Sequence, residues 1–205
     1  VVFTSDHGDM NGSQGQQRKQ RPWDESIRVP FLIRYPGAHG QQGRAVPTVL
    51  NSPDIMPTLL GLAGVEVPES AEGRNFEAIV RGGETPNGSS GLIACISPFG
   101  EFVRRNGGKE YRGVRTERYT YVRDLAGPWL LFDNRSDPYQ LKNLVGLEAH
   151  SELQADLEGE LTGLLTARGD EFRHGDDYVM QWGYTVDASG TVPYSNEIPA
   201  ESLEK

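Results

Sequence analysis

The chain has 205 residues, 36% of them apolar, with 25 Gly, 13 Pro, one Cys and a net charge of −9. That length allows one large or two small domains, and no apolar run approaches the ~20 residues of a membrane-spanning helix. One cysteine excludes an intrachain disulfide, and the acidity argues against a nucleic-acid backbone as partner. The charge is uneven: residues 1–48 carry six Lys and Arg against four Asp and Glu, whereas residues 49–205 carry 14 against 25. The first segment therefore tolerates a small anionic substrate, and no membrane partner is expected.

Val1-Val2-Phe3 reads as a strand covered on both faces, as in a parallel sheet flanked by helices. Asp6-His7-Gly8-Asp9 follows at its carboxyl end, the edge where open α/β sheets hold ligands. Gly8 to Arg21 is a Gly- and Gln-rich loop longer than an ordinary connection, which marks it as functional or mobile. "RVPFLIRYPG" predicts a second strand over Val29–Tyr35, with Pro30 at its start or on an unpaired side. "SPDIMPTLLGLAG" predicts a helix with Ser52 as N-cap, Pro53 in the first turn and Gly64 as its stop.

From Gly91 the texture changes to short β-like runs separated by Gly, Asn and Asp, which predicts an antiparallel sheet. Arg112, Arg115, Arg118 and Arg123 alternate with its apolar residues and are read as a solvated, charged face. Cys95, inside "GLIACISP", is read as a buried small hydrophobe and not as a nucleophile. Leu153, Leu157, Leu161, Leu164 and Leu165 line one side of an amphipathic helix that Gly169 ends. Asp170 to Lys205 has no clear period and reads as a tail on the surface.

Asp6 and His7 offer a carboxylate oxygen and an imidazole nitrogen side by side, the donors of a cation site. An ordinary strand-to-loop turn explains the same residues, and Asp9 beside Gly fits such a turn equally well. Lys19, flanked by Arg18 and Arg21, could neutralise charge developing on a leaving group. A solvated charge run is the other reading of that stretch.

Taken together, the order and spacing of these residues resemble those of a known family. "FTSDHGDM", a Lys four residues before an aromatic, and "WDESIRVPFLIRYPG" resemble the sulfatase family of the alkaline phosphatase superfamily. "DIMPTLLGLAGVEVP" and "YTYVRD...LLFDNRSDPYQLKNL" resemble that family's carboxyl-terminal half in the same order, to about Phe172. The resemblance implies an α/β fold. Residues 1–90 would be part of an alkaline-phosphatase-like core, 91–170 a small antiparallel sheet with a packed C-terminal helix, and 171–205 a surface tail.

The resemblance further implies that Asp6 and His7 are the second pair of ligands for a divalent cation, calcium in most of the family. The imidazole leaves manganese or zinc open. It makes Lys19 a contact of the sulfate ester, and Glu25, Arg28 and Pro30 a structural frame. Gln14 stands where many relatives have His. The family's other metal-binding acids, and the Cys or Ser converted to the formylglycine nucleophile, lie far upstream and find no match here. Cys95 lacks the Cys-x-Pro-Ser-Arg or Cys-x-Ala-x-Arg context. The expectation is the carboxyl-terminal portion of a sulfuric ester hydrolase acting on a sulfate-ester small molecule or a sulfated glycan, inactive alone and prone to self-association. A phosphonate or phosphodiester hydrolase of the same superfamily and a non-catalytic accessory module are the alternatives.

Overall fold

The computed structural model describes residues 1–84 and 89–186. Two short strands, β1 (Val2–Phe3) and β2 (Leu32–Ile33), pair antiparallel, with Val2 opposite Ile33. Between them lie the long loop and a single helical turn, α1 (Asp24–Ile27). A further turn, α2 (Pro36–His39), follows β2. The expected parallel strand buried on both faces is therefore corrected. Phe3 and Leu32 are each 61% exposed and Val1 is 90% exposed. Their apolarity is that of buried strands, but no described element covers them. Val1, Val2, Ile33 and Tyr35 form one wall of an open groove with Leu59, Leu62 and Ala63.

Helix α3 runs Ser52–Ala63, and its N-cap is Asn51, not Ser52. Asn51 has extended backbone and its side chain accepts from the Ser52 amide (2.9 Å), while Asp54 accepts from the Asn51 amide (2.8 Å). This reciprocal capping box satisfies donors that the first turn leaves without helical partners. Gly64 ends the helix in the left-handed region (φ 70°), which Gly enters without strain. Thr58 on its buried face accepts from the Phe76 amide and so seats the start of α4 (Glu77–Val80).

The second half is built on four strands: β3 (Ser90–Cys95), β4 (Tyr111–Thr116), β5 (Tyr119–Asp124) and β6 (Gly127–Asp133). They form an antiparallel sheet in chain order, with a bulge at Val122/Arg123. Side chains alternate between its faces. Tyr111, Val122, Leu130 and Phe132 pack with Met10 and Trp23 of the first-half loop. Val114, Tyr121 and Leu131 pack with Leu157, Leu161 and Leu165 of helix α5 (Ser151–Ala167). The sheet is thus a filling between the loop and α5.

The charged solvated face is a second correction, most plainly for Arg112 and Arg115, whereas Arg118 is exposed as expected. Arg112 is fully buried; its guanidinium holds Asp170 (Nε–Oδ2 2.5 Å, Nη2–Oδ1 3.2 Å) and stacks on Phe172 at 4.7 Å. Arg115 grips Asp24 through two hydrogen bonds (3.0 and 3.1 Å), Arg118 grips Asp133 in the same way, and Arg123 reaches Glu158 (2.5 Å). A bidentate guanidinium–carboxylate pair matches two donors to two acceptors, which is what lets an arginine leave water. The stretch after Asp170 is not aperiodic throughout. A short helix, α6 (Gly175–Gln181), is seated against β3 and β4, with Glu110 accepting from the Gly175 amide (2.9 Å) and buried Tyr178 bonded to Asp170 (3.1 Å). The remainder of the expected tail, residues 187–205, lies outside the described residues.

Candidate functional site

The loop from Gly8 to Trp23 is shaped by its own backbone and by the sheet beneath it. Gly8 donates to Ser26 (2.9 Å) and lies so close to α1 that a Cβ there would stand 2.0 Å from the Glu25 carbonyl oxygen. Only Gly permits that approach. Met10 donates to Arg18 and Gly12 to Gln16, closing the loop on itself. Asp9 accepts from the amides of Asn11 (2.9 Å) and Arg18 (3.1 Å), the turn role that its sequence context allowed. Met10 is buried as the loop's anchor, and Trp23 stands edge-on to Trp129 at 5.8 Å.

This fastening holds an unfavourable backbone. Six described non-glycine residues have positive φ, and four of them are Asn11, Gln14, Arg18 and Gln20. Each costs about 1–2 kcal/mol in bulky residues, and such strain gathers at functional sites. The two that bracket Lys19, Arg18 (φ 65°) and Gln20 (φ 70°), are held from the second half of the chain. Arg18 pairs with Glu101 (3.2 Å), and the Gln20 carbonyl accepts from the Tyr111 hydroxyl (3.3 Å). The Gln20 side chain donates to the Phe99 carbonyl (3.2 Å) and accepts from the Phe99 amide (3.4 Å). The Lys19 carbonyl itself accepts from Arg21 (2.6 Å), whose guanidinium lies 4.6 Å over the Phe102 ring.

Asp6, His7 and Lys19 are thereby brought together. Lys19 Nζ lies 2.7 Å from His7 Nε2, and Asp6 Oδ2 lies 3.3 Å from the same nitrogen. His7 Nδ1 is 2.8 Å from the Gly8 carbonyl oxygen, which can only accept. The proton is assigned to Nδ1 on that ground, leaving the Nε2 lone pair facing the carboxylate and the ammonium. Slight loss of water acts to raise the Asp6 carboxyl. The amides of Asp6 and His7, the neighbouring His7 ring and the Ser5 hydroxyl outweigh it and hold the group below its ordinary value. The result is an anionic oxygen, an imidazole lone pair and a cationic side chain converging at one exposed point. Among the described residues no group of three or more His, Cys, Asp and Glu is placed to hold a metal ion.

Comparison with known proteins gives this arrangement its context. Residues 12–167 match the model of N-sulphoglucosamine sulphohydrolase, C-terminal. The chain is 40% identical over 200 residues to an ulvan-active sulfatase of Formosa agariphila, covering 95% of this chain and 38% of that protein. The chain belongs to the sulfatase family. A solved protein in complex with its substrate D-glucosamine-2-N,6-O-disulfate is 25% identical with a TM-score of 0.69, over 83% of this chain and 35% of its own. The phosphonate monoester hydrolase of Agrobacterium radiobacter is also similar (30% identical, TM-score 0.66, 82% of this chain and 35% of its own). The chain thus spans well under half the length of these relatives and matches the sulfatase family's carboxyl-terminal part. The α/β fold with its antiparallel sheet and packed helix is that of solved sulfatases, among them a 2-O GAG sulfatase (30% identical, TM-score 0.71, 92% of this chain and 38% of its own).

Within that family frame, Gln14 is not idle. Its amide donates to the Tyr139 (2.9 Å) and Gln140 (3.4 Å) carbonyls and ties the loop to the turn after β6. Of the expected frame, Arg28 reaches Asp24 at 3.8 Å with its side chain largely exposed, a weak pair. Asp24 is the stronger tie: its amide donates to Gln140 (2.8 Å) and its carboxylate receives Arg115. Sequence reasoning missed Gln20, Asp24, Tyr111, Arg115 and Gln140 as supports of the site. Their partners lie 79 to 116 residues away, so no local pattern marks them.

Proposed function

We propose that this chain supplies one side of the active site of a sulfuric ester hydrolase, acting on a sulfate ester carried by a sugar. The observation that carries the reading is the convergence of Lys19 on the Asp6–His7 pair, in a chain of the sulfatase family. The Lys19 ammonium has three donors and a fixed positive charge. Aimed at a sulfate oxygen, it offsets charge that builds as the ester bond breaks. The less acidic composition of residues 1–48 supports an anionic substrate there.

Asp6 and His7 fit a divalent cation by donor chemistry. The carboxylate is held ionised, and the Nδ1 bond to Gly8 fixes Nε2 as the donor nitrogen, the arrangement of a metal-ligating histidine. Such a cation, calcium by family expectation, would polarise a sulfate oxygen. Two ligands fall short of the six to eight oxygens that calcium takes, so Asp6 and His7 alone bind it weakly. Lys19 and a cation would compete for the Nε2 lone pair, so Lys19 would turn its donors to the ester. Cys95 is buried and burial pushes its thiol up to about 12, so it serves as no nucleophile. The 205-residue chain alone therefore does not turn over sulfate esters.

The test uses the full-length protein that carries this chain, with 4-methylumbelliferyl sulfate as substrate. Lys19→Ala should lower kcat by about 10²–10³, the cost of removing one positioned donor. Asp6→Asn and His7→Ala should lower bound metal measured by elemental analysis. An unchanged kcat in Lys19→Ala sinks the reading. The likeness to a phosphonate monoester hydrolase supports a second one, which faster turnover of phenylphosphonate esters than of sulfates would favour.

A further inference from the structure

The residues on either side of Lys19 are both fastened to one short segment, Phe99–Gly100–Glu101. Arg18 pairs with Glu101, and the Gln20 side chain takes both backbone polar groups of Phe99. Gly100, with φ 61°, comes within 4.0 Å of the Gln20 amide by its would-be Cβ. The segment, extended at Phe99 and turning into a single 3-10 turn from Gly100, therefore lies against Arg18 and Gln20, the two neighbours of Lys19. Phe102, three residues on, is buried under Arg21 and fixes the far end.

Phe99 itself is 46% exposed. A single exposed aromatic needs no explanation. The fixing of this one does, because it engages left-handed backbone at Arg18 and Gln20 to hold the Phe99 main chain beside the candidate site. Ligand sites combine a few placed polar groups with aromatic walls, and an aromatic face suits the C–H face of a sugar ring. We infer that Phe99 is a platform for a sugar ring of the substrate, adjoining the position where Lys19 meets the sulfate. The inference rests on the sulfate-ester reading of Lys19 and adds to it the residue that would select a glycan over a bare aryl sulfate.

The experiment titrates the 205-residue chain, carrying Phe3→Lys and Leu32→Lys to cover its exposed apolar edge with charge, with glucosamine and galactosamine disaccharides, each with and without a sulfate, and with methyl sulfate as a sugar-free anion. Binding is followed by the NMR shifts of residues 97–101. At least one unsulfated disaccharide should shift the Phe99 resonances. Phe99→Ala and Phe99→Leu should weaken sugar binding about three- to tenfold, the scale of one aromatic contact, with Phe99→Trp retaining it. Methyl sulfate binding should be indifferent to Phe99. Gln20→Ala, which frees the Phe99 backbone but keeps its ring, should weaken the sugars too. Sugar affinities unchanged in Phe99→Leu, or no unsulfated disaccharide shifting Phe99, would overturn the inference. If the Phe99 variants lose the sugars while Lys19→Ala still binds methyl sulfate normally, the platform stands and the sulfate assignment falls.

Discussion

Cys95 shows how far a single residue can be read. It lies on β3 under Phe102 and Tyr111, and burial, with Glu110 nearby, pushes its thiol up to about 12. At pH 8 almost none is thiolate, and the thiolate is the reactive form. Ellman's reagent should therefore leave the native chain untouched and react stoichiometrically once urea unfolds it; rapid native labelling would contradict the packing. The apolar neighbours of Cys95 announced this in the sequence, and the order Asp-His-Gly-Asp with the downstream Lys picked out three side chains that the fold brings together. The arginines of the sheet did not announce themselves. A charged residue alternating with apolar ones has the pattern of a wet face, and only the fold brings Asp24 and Asp170 to Arg115 and Arg112, across 91 and 58 residues.

Among the elements, the weakest are β1 and β2. Each has two residues, they pair with each other, and Val1, Phe3 and Leu32 face water. An isolated two-stranded pair is marginal, and open apolar edges recruit other chains. The 205-residue chain should associate at micromolar concentration, and Phe3→Lys with Leu32→Lys should restore a monomer. Sedimentation velocity checks it, and a wild-type monomer at all concentrations would count against it. Hydrogen exchange should find rapid exchange at β1 and β2 and slow exchange through β4 and β5. The expected elements were legible wherever periodicity or turn residues spoke, as in α3, α5 and the four-stranded sheet. The N-cap slipped by one because Asn51 and Ser52 are both good caps, and only backbone angles separate them. The α6 helix was missed because seven residues are too few for a helical period to show.

At the scale of the molecule, carboxylates clamp the sheet to its surroundings. Burial would raise Glu110, Asp124 and Asp170. Arg104, Lys109 and Arg112 respectively, with backbone amides, outweigh it and hold all three below their ordinary values. A lowered folded-state pKa means that the unfolded chain binds more protons in acid. The stability these pairs add is complete above about pH 5 and is lost as pH falls through 4 and below. Urea midpoints should hold steady from pH 6 to 8 and drop steeply below pH 4. Arg112→Met with Asp170→Leu should flatten part of that drop, and an unchanged acid limb in the double variant would remove the pair from the account.

The loop laid across one face of the sheet also sets the order in which the chain can be completed. Residues 8–23 are made before the partners that fix them: Gln14 waits for Tyr139, 125 residues later. At ~5–20 residues per second the wait is roughly 6–25 s. During that interval Arg18, Lys19 and Arg21 are open to any protease. A chain stopped after Asn134, before that partner and α5 exist, should be cut by trypsin after Arg18 and Lys19 within seconds, whereas the 205-residue chain should resist there. The loop that brings Lys19 to His7 is thus made well before the segments that give it its shape.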